Sequence, residues 1–395
     1  MVGKPRHMIA MAMAGTMAVA ASAPVLGAFE ASVPNPVRQG NVVRVQAAAA
    51  RGNVVAIGWR EGSKPGVLSM AYSKDGGDSY LKNNRKLRKF RTLGLGNNGM
   101  SLDICAANIW IGSAANFPGD AAKDSDVVIT RRSVKSPIKD AGQTFVTSPG
   151  KSRRVRDVSV ACIGNRLLAI AWLERVGSDI RAKLMIRDLS SDVPAAYRRV
   201  FGLGAANFGG GISVAATAKA VHVAWSKGNR QHVTYKSFLV GKGKKPPITK
   251  QATQRLATGN ARWPRLATVG QRVALAYTDR GKVKVKISTD RGATFGSATR
   301  IMDSGTIRDP SVAHSIDLMG RRIVVDGVEA GGGGTPQRIQ TYDLGADGWS
   351  DVVSFGHDGA RVGALRRQAG NLLLQEAWHN SGPGRDTLRA QHEVP

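Results

Sequence analysis

A short apolar strand ending in a small residue and then an aromatic returns again and again along the chain. It reads Val54-Val55-Ala56-Ile57-Gly58-Trp59, Leu167-Leu168-Ala169-Ile170-Ala171-Trp172, Val221-His222-Val223-Ala224-Trp225, Val273-Ala274-Leu275-Ala276-Tyr277 and Leu373-Leu374-Gln375-Glu376-Ala377-Trp378. Weaker copies at Ile109-Trp110-Ile111-Gly112-Ser113 and Ile323-Val324-Val325-Asp326-Gly327 fill the gaps. With Ala114 and Gly327 standing where the aromatic would be, seven units recur at intervals of 50 to 58 residues. A repeat of this length means that one supersecondary unit is stacked on copies of itself.

Each unit has the same internal order. A small-residue strand such as Ser159-Val160-Ala161 or Ser311-Val312-Ala313 precedes a turn, then come the aromatic-ended strand, an alternating strand such as Val283-Lys284-Val285-Lys286-Ile287-Ser288, and a fourth strand. Period-2 alternation with frequent turn residues and no helical stripe predicts an all-β chain. Four-stranded units without a helix predict a β-propeller of seven four-stranded blades, with a six-bladed ring as the alternative. The last unit ends at Pro395 after three strands, so a spare N-terminal strand near Phe29 to Val33 is expected to complete it and close the ring. Closure removes open sheet edges.

Two hairpins between third and fourth strands share S-x-D-x-G-x-[ST]-aromatic. They are built on Ser73, Asp75, Gly77 and Tyr80, and on Ser288, Asp290, Gly292 and Phe295. Asp140, Gly142 and Phe145 fit the pattern from the Asp onward, and Asp347-Gly348-Trp349 is a blurred copy. The carboxylate can accept from backbone N–H groups just ahead, glycine supplies positive φ, and the aromatic packs inward, so the motif is a self-contained turn. On these residues the chain resembles the Asp-box (BNR) repeat propellers, the superfamily that includes the sialidases. The resemblance covers the whole chain after the leader and implies that these turns lie on the blade periphery, away from an active face. Family sialidases usually have six blades, against seven units here.

Arginines recur at the entrance of the innermost strand. Arg44, Arg156 and Arg262 each precede a turn glycine by the same spacing, Arg361 by one residue more, and Arg308-Asp309-Pro310-Ser311-Val312 superposes on Arg156-Asp157-Val158-Ser159-Val160. Units two and four carry Gly99 and Gly210 there. Such positions converge on one mouth of a propeller, where guanidinium forks suit carboxylate, sulfate or phosphate. The resemblance adds that sialidases hold the sugar carboxylate with an arginine cluster, one member in an x-R-x-P motif like Ile307-Arg308-Asp309-Pro310 and Ala261-Arg262-Trp263-Pro264. It also implies a Tyr nucleophile assisted by Glu and an Asp acid/base. Asp103, Asp157 and Asp309 are the candidate acids, whereas Tyr277 and Tyr342 align with blade strands and read as core.

The chain of 395 residues carries a formal charge of +29. Lys4, Arg6 and His7 precede the Ala/Met-rich run from Met8 to Ala23, which reads as a secretory signal peptide cleaved near Ala28. Residues 29–395 are expected to form a single domain that is secreted or extracytoplasmic, monomeric, and without an integral membrane span. Clusters at Lys82 to Arg91, Lys151 to Arg156 and Lys242 to Lys245 add diffuse positive charge with few aromatics among them. Anionic glycan or cell-envelope polymer is the expected partner, and nucleic acid only a non-specific one.

Cys105 and Cys162 each lie three residues before an Asn, at what look like equivalent positions in adjacent units. They either pair, if their Cα atoms come within about 7 Å, or stay as two buried thiols. No H-E-x-x-H, C-x-x-C, P-loop or G-x-S-x-G pattern is present, so no metal or cofactor is expected. The leading function is an anion-binding glycan or polymer module using the arginine mouth. Its alternatives are an exo-α-sialidase-type glycoside hydrolase on the same arginines and a protein–protein scaffold that needs neither.

Overall fold

The computed structural model describes residues 35–38, 42–61, 67–77, 79–80, 85–86, 100–115, 125–135, 140–146, 153–189, 198–228, 232–301, 314–319, 322–328, 337–343, 345, 348–349, 353–355, 361–368, 371–379 and 387–394. The leader and the spare strand expected at Phe29 to Val33 lie outside them. Among the described residues no helix is long and apolar enough to cross a membrane.

Among the described residues every regular element is a strand. After β1 (Asn35–Arg38), the first blade holds β2 (Val42–Arg51), β3 (Val54–Glu61), β4 (Val67–Ser73) and β5 (Arg85–Lys86). The second holds β6 (Met100–Cys105), β7 (Asn108–Ala115), β8 (Asp126–Ser133) and β9 (Asp140–Phe145), and the third β10 (Arg154–Ile163), β11 (Leu167–Val176), β12 (Asp179–Asp188) and β13 (Arg198–Ala205). In the fourth are β14 (Ile212–Ala216), β15 (Ala220–Lys227), β16 (His232–Val240) and β17 (Ile248–Ala257), and in the fifth β18 (Ala261–Val269), β19 (Arg272–Asp279), β20 (Lys282–Ser288) and β21 (Thr299–Arg300). These five antiparallel meanders are blades of an all-β propeller. Beyond them β22 (His314–Met319), β23 (Arg322–Val328) and β24 (Gln337–Asp343) pair in order, with β25 (Gly348–Trp349) and β26 (Val353–Phe355) both on β24. Finally β27 (Arg361–Gln368), β28 (Asn371–His379) and β29 (Thr387–Val394) pair in order, and β29 pairs with β1. The innermost strands lie beside one another in the order β2, β6, β10, β14, β18, β22, β27, and β27 lies beside β2.

The repeat signature has a packing cause. The second strand of each blade is covered on both faces, as in β11, where Leu167 to Glu174 are all buried. Such strands read as continuous apolar runs rather than alternating ones. The small residue before the aromatic sits where the next blade's innermost strand comes closest, and register matches Gly112 to Gly58, so that Ser113 rather than Ala114 stands at the aromatic position of the second blade. A Cβ on Gly112 would stand 2.5 Å from Val160 Cγ1, and one on Gly58 2.6 Å from Met100 Sδ. Faces alternate along each innermost strand. Val158, Val160 and Cys162 pack with Trp110 and Ile129 of the second blade, while Ala161 and Ile163 pack with Val214 and Trp225 of the fourth.

Neighbouring innermost strands are joined through side chains. Val160 N donates to Ser101 Oγ (3.1 Å), Val214 N to Ser159 Oγ (3.0 Å) and Leu266 N to Ser213 Oγ (3.0 Å), one serine stitch per seam. The Ser-Val-Ala pattern therefore supplies both the smallness and the hydroxyl that the centre needs.

The two full hairpin motifs form closed turns. Ser288 Oγ donates to Asp290 Oδ1 (2.7 Å), Gly292 N donates to Ser288 Oγ (2.8 Å), Thr294 N donates to Asp290 Oδ1 (2.9 Å), and Thr294 Oγ1 donates to Asp290 Oδ2 (2.6 Å). Bonds from Thr294 and Ser288 hold the Asp290 carboxyl down at about 2. The turn from Ser73 repeats this set with Asp75, Gly77 and Ser79. Burial pushes the Asp75 carboxyl up, but the bonds from Ser73 and Ser79 outweigh it and hold it well below the usual range. Tyr80 and Phe295 pack against their blade cores. The partial motif differs: Asp140, Gly142 and Phe145 lie in β9, paired with β8, rather than in a turn. The first half of the motif is missing there, and without the leading serine the segment extends as a strand.

Candidate functional site

Each innermost strand begins at one end of the propeller and runs toward a turn at the other. In the third and fifth blades that beginning is broken by a bulge. Register against the second strand shifts between Arg156 and Ser159 in β10 and between Arg262 and Arg265 in β18. The residue after each arginine is left-handed, Asp157 and Trp263 both at φ 48°, and Gly211 at φ 83° occupies the matching place in the fourth blade. Non-glycine residues in that region cost about 1–3 kcal/mol and cluster where a side chain must be aimed.

The linker ahead of β14 joins these bulges. Arg156 Nη1 donates to Phe208 O (3.3 Å), and Trp263 N donates to Gly210 O (2.6 Å), so residues 208 to 210 place the third and fifth blades' entrances on one rim. The fourth blade has no arginine there because a Cβ on Gly210 would lie 2.3 Å from Ser226 Cβ. Phe208 gathers three guanidiniums. The Cζ atoms of Arg156, Arg154 and Arg175 stand 5.0, 5.9 and 5.9 Å from its ring centroid. Arg154 and Arg175 are direct cross-strand partners, an arrangement of like charges that is unfavourable by itself. The ring's negative face offsets part of that repulsion. On the far side of the linker Arg262 lies 5.5 Å over the ring of Trp263.

Acids lie beside this cluster. Glu174 accepts from Trp172 Nε1 (3.0 Å) and lies 3.3 Å from Lys183 Nζ and 4.0 Å from Arg153 Nη1, while Asp126 is 3.8 Å from Arg153 Nε. No ion pair among the described residues takes up Arg154, Arg175 or Arg262. Burial pulls the Arg156 guanidinium below its ordinary value, with Asp157 opposing and Arg154 adding to the shift. Desolvated guanidiniums beside aromatic faces can hold an anionic group through paired N–H donors while a ring covers the apolar side of the ligand.

The other expected residues fall as follows. Asp157 is buried beside Arg156 on this rim. Arg44 lies in β2 and Arg361 opens β27, both on innermost strands, with side chains outside the described set. Arg308 and Asp309 lie outside the described residues.

Asp103 is not at the mouth. It sits deep in β6, where Oδ2 accepts from Cys162 N (2.6 Å) and Oδ1 from Ile104 N (2.7 Å), so both oxygens serve the seam between blades. Burial raises its carboxyl above the usual range even against those two bonds and the Arg51 charge. Tyr277 is core, pushed up to about 12 by burial and the nearby Asp279 charge, and Tyr342 packs against the cluster that contains Ile323 and Val325.

Beside Asp103, Cys105 and Cys162 form a disulfide with Cα atoms 6.2 Å apart. They are not equivalent positions. Cys105 pairs with Asn108 across a two-residue turn, whereas Ile163 pairs with Leu167 across three residues, so the counterpart of Cys105 is Ile163. Cys105 faces the third blade and Cys162 faces the second, the opposed orientation a bond across the seam requires.

Arg154, Arg175 and Phe208 were not marked by the arginine spacing. Arg154 lies two residues before Arg156 on the same face, a signal the sequence carries. Arg175 becomes visible only once register places it opposite Arg154.

Neither a family model nor a curated protein matches the chain. Among solved structures it is similar to the endosialidase of phage phi92, with a TM-score of 0.53 and 9% identity over 93% of this chain and 69% of that one. A puromycin-hydrolysing peptidase of Mycobacterium tuberculosis gives a TM-score of 0.50 and 14% identity over 92% and 54%. The sialidase of Trypanosoma rangeli gives 0.48 and 10% over 90% and 59%. The chain thus spans between 54% and 69% of the length of these structures. At such identities the likeness to the phage protein is one of fold alone, and the chain is an all-β propeller.

Proposed function

We propose that the chain is an exported Asp-box propeller of seven blades, closed by the pairing of β1 with β29, that binds anionic glycans or cell-envelope polymers at its arginine-lined mouth. The observation that carries this reading is the convergence of Arg154, Arg156 and Arg175 on Phe208, one linker away from Arg262 and Trp263. Closure is supported by the contact of β27 with β2 and by the register Asn35 with Arg389 and Pro36 with Leu388. Export rests on the leader alone.

Retention on an array of carboxylated and sulfated glycans tests the site. Replacing Arg156 and Arg262 together by Ala should weaken retention at least tenfold, since each lost charged hydrogen-bond donor removes about 1.5–3 kcal/mol. Replacing Lys74 and Lys286 by Ala should change it little, and equal losses from the two pairs would remove the mouth from consideration. A hydrolytic reading is favoured by one observation, the buried Asp157 held in a left-handed conformation beside Arg156. Turnover of a fluorogenic sialoside that disappears in Asp157→Asn would carry it, and absence of turnover in the wild-type chain would reject it.

A further inference from the structure

The opposite end of the propeller carries a different charge population. The turn 164–166, the turn 217–219 and the hairpin 241–247 all lie there, at the far ends of strands that begin at the mouth. They form one surface. A Cβ on Gly164 would lie 3.4 Å from Ala218 Cβ, Val240 N donates to Lys219 O (2.8 Å), and Arg166 Nη1 donates to Gly243 O (3.0 Å). Two blades thereby bring Arg166, Lys219, Lys242, Lys244 and Lys245 together, all exposed, and Lys250 follows at the start of β17. Arg198 and Arg199 open β13 at the same end.

The three turns contain no acidic and no aromatic residue. No ion pair among the described residues involves any of these cations. The self-repulsion of Lys242, Lys244 and Lys245 on one hairpin is borne by a backbone fixed by Pro246, Pro247 and the Gly241 N to Pro247 O bond (3.0 Å). Uncompensated like charge at the end of a rigid body creates a field that gathers counter-ions, and a ligand with many charges displaces them with an entropic gain. The three turns themselves offer no ring on which bases could stack, while the half-exposed Val200 and Leu239 and the Phe201 ring, with Lys250 5.3 Å over it, stand on the strands beside them, so charge dominates the turns and apolar surface only flanks them.

We propose that this end is a second binding face, independent of the arginine mouth, which takes a linear polymer of phosphate or sulfate groups by charge alone. Heparin and long-chain polyphosphate, each immobilised, separate the two chemistries. In the full chain, Lys219→Gln, Lys242→Gln, Lys244→Gln and Lys245→Gln combined should lower the slope of log affinity against log salt by about three to four on whichever polymer binds. Four changes elsewhere, Lys74→Gln, Arg280→Gln, Lys282→Gln and Lys286→Gln, should lower it by less than one. The mouth pair Arg156→Ala and Arg262→Ala should leave it unchanged, which separates this face from the glycan site. An equal drop from both quadruple variants would reduce the binding to diffuse charge and overturn the proposal. So would retention on duplex DNA or phosphatidylserine vesicles with none on either polymer.

Discussion

The seam between the second and third blades and the seam between the fourth and fifth share a serine stitch and differ in everything else. At the first, Ser101, Asp103 and Cys105 all face β10, giving two hydrogen bonds to its backbone and a disulfide. At the second, the Ser213 bond is joined at the entrance by the bond from Trp263 N to Gly210 O (2.6 Å), with no covalent link, and closure is completed farther out. There the Tyr235 hydroxyl meets His222 Nδ1 at 2.7 Å, Phe295 packs edge-on to the Tyr235 ring, and Gln254 Nε2 donates to Gly292 O (2.8 Å). One seam is secured covalently near the axis, and the other by the Phe295 ring and the Gln254 bond under a surface turn, with Tyr235 held from beneath by His222 of its own blade. The first should answer to reductant and the second to acid.

The largest effect is expected at the covalent seam. Its disulfide closes a loop with a sequence separation of 57, for which chain entropy gives about 4 kcal/mol. Cys105→Ser with Cys162→Ser should lose on that order in denaturant unfolding, and added reductant should then change the variant no further.

Next comes Gly292→Ala at the other seam. The new Cβ would stand 1.7 Å from the Tyr235 hydroxyl at a φ of 79°, so a loss of about 3 kcal/mol is expected. Gly228→Ala, at φ 69° with open space around it, isolates the backbone part and should cost about 1 kcal/mol. Similar losses for both would mean that Gly292 is not pressed against Tyr235.

Acid titration follows. Burial holds His222 down at about 4, against an ordinary value near 6.5, so the folded state binds its proton later than the unfolded one. The stability this contributes is complete above about pH 6.5 and is lost as pH falls toward 4, by roughly 3 kcal/mol at most. His222→Gln should flatten the stability profile in that window. A further loss below about pH 4 should remain, because there the unfolded chain's Asp290 takes up its proton while the folded one, held at about 2, does so only at lower pH.

The smallest effect belongs to the stitches. Ser159→Ala or Ser213→Ala leaves the N–H of Val214 or Leu266 without its hydroxyl and should cost about 1–2 kcal/mol each. Ser101→Ala should behave alike if the disulfide does not pre-set the spacing of its seam, and a much smaller loss there would show that it does.

What was legible in the sequence was whatever depends on local pattern. The two complete hairpin motifs close as turns because every partner of Asp75 and Asp290 lies within four residues. The aromatic-ended strands are legible because burial on both faces leaves a continuous apolar run. The site was readable only in part. Arg156 and Arg262 share a rim, but Asp103, alike in composition, belongs to a seam because its fate depends on which way one residue of β6 faces. Counting back from Asn108 and Asn165 hid a one-residue difference in turn length, and one residue reverses a strand's faces. Phe208 could not be found by spacing at all, since it stands in an irregular linker and matters only through the three arginines that reach it.

That reversed parity in the cystine has an evolutionary consequence. Rings of repeats change by gaining or losing whole units, and a unit carries its forward-facing and backward-facing side chains together. Removing or duplicating the blade on either side of this seam would leave one sulfur opposite a strand with no answering cysteine. The second and third blades therefore depend on each other for this bond, and a ring that lost either one alone would be left with an unpaired thiol.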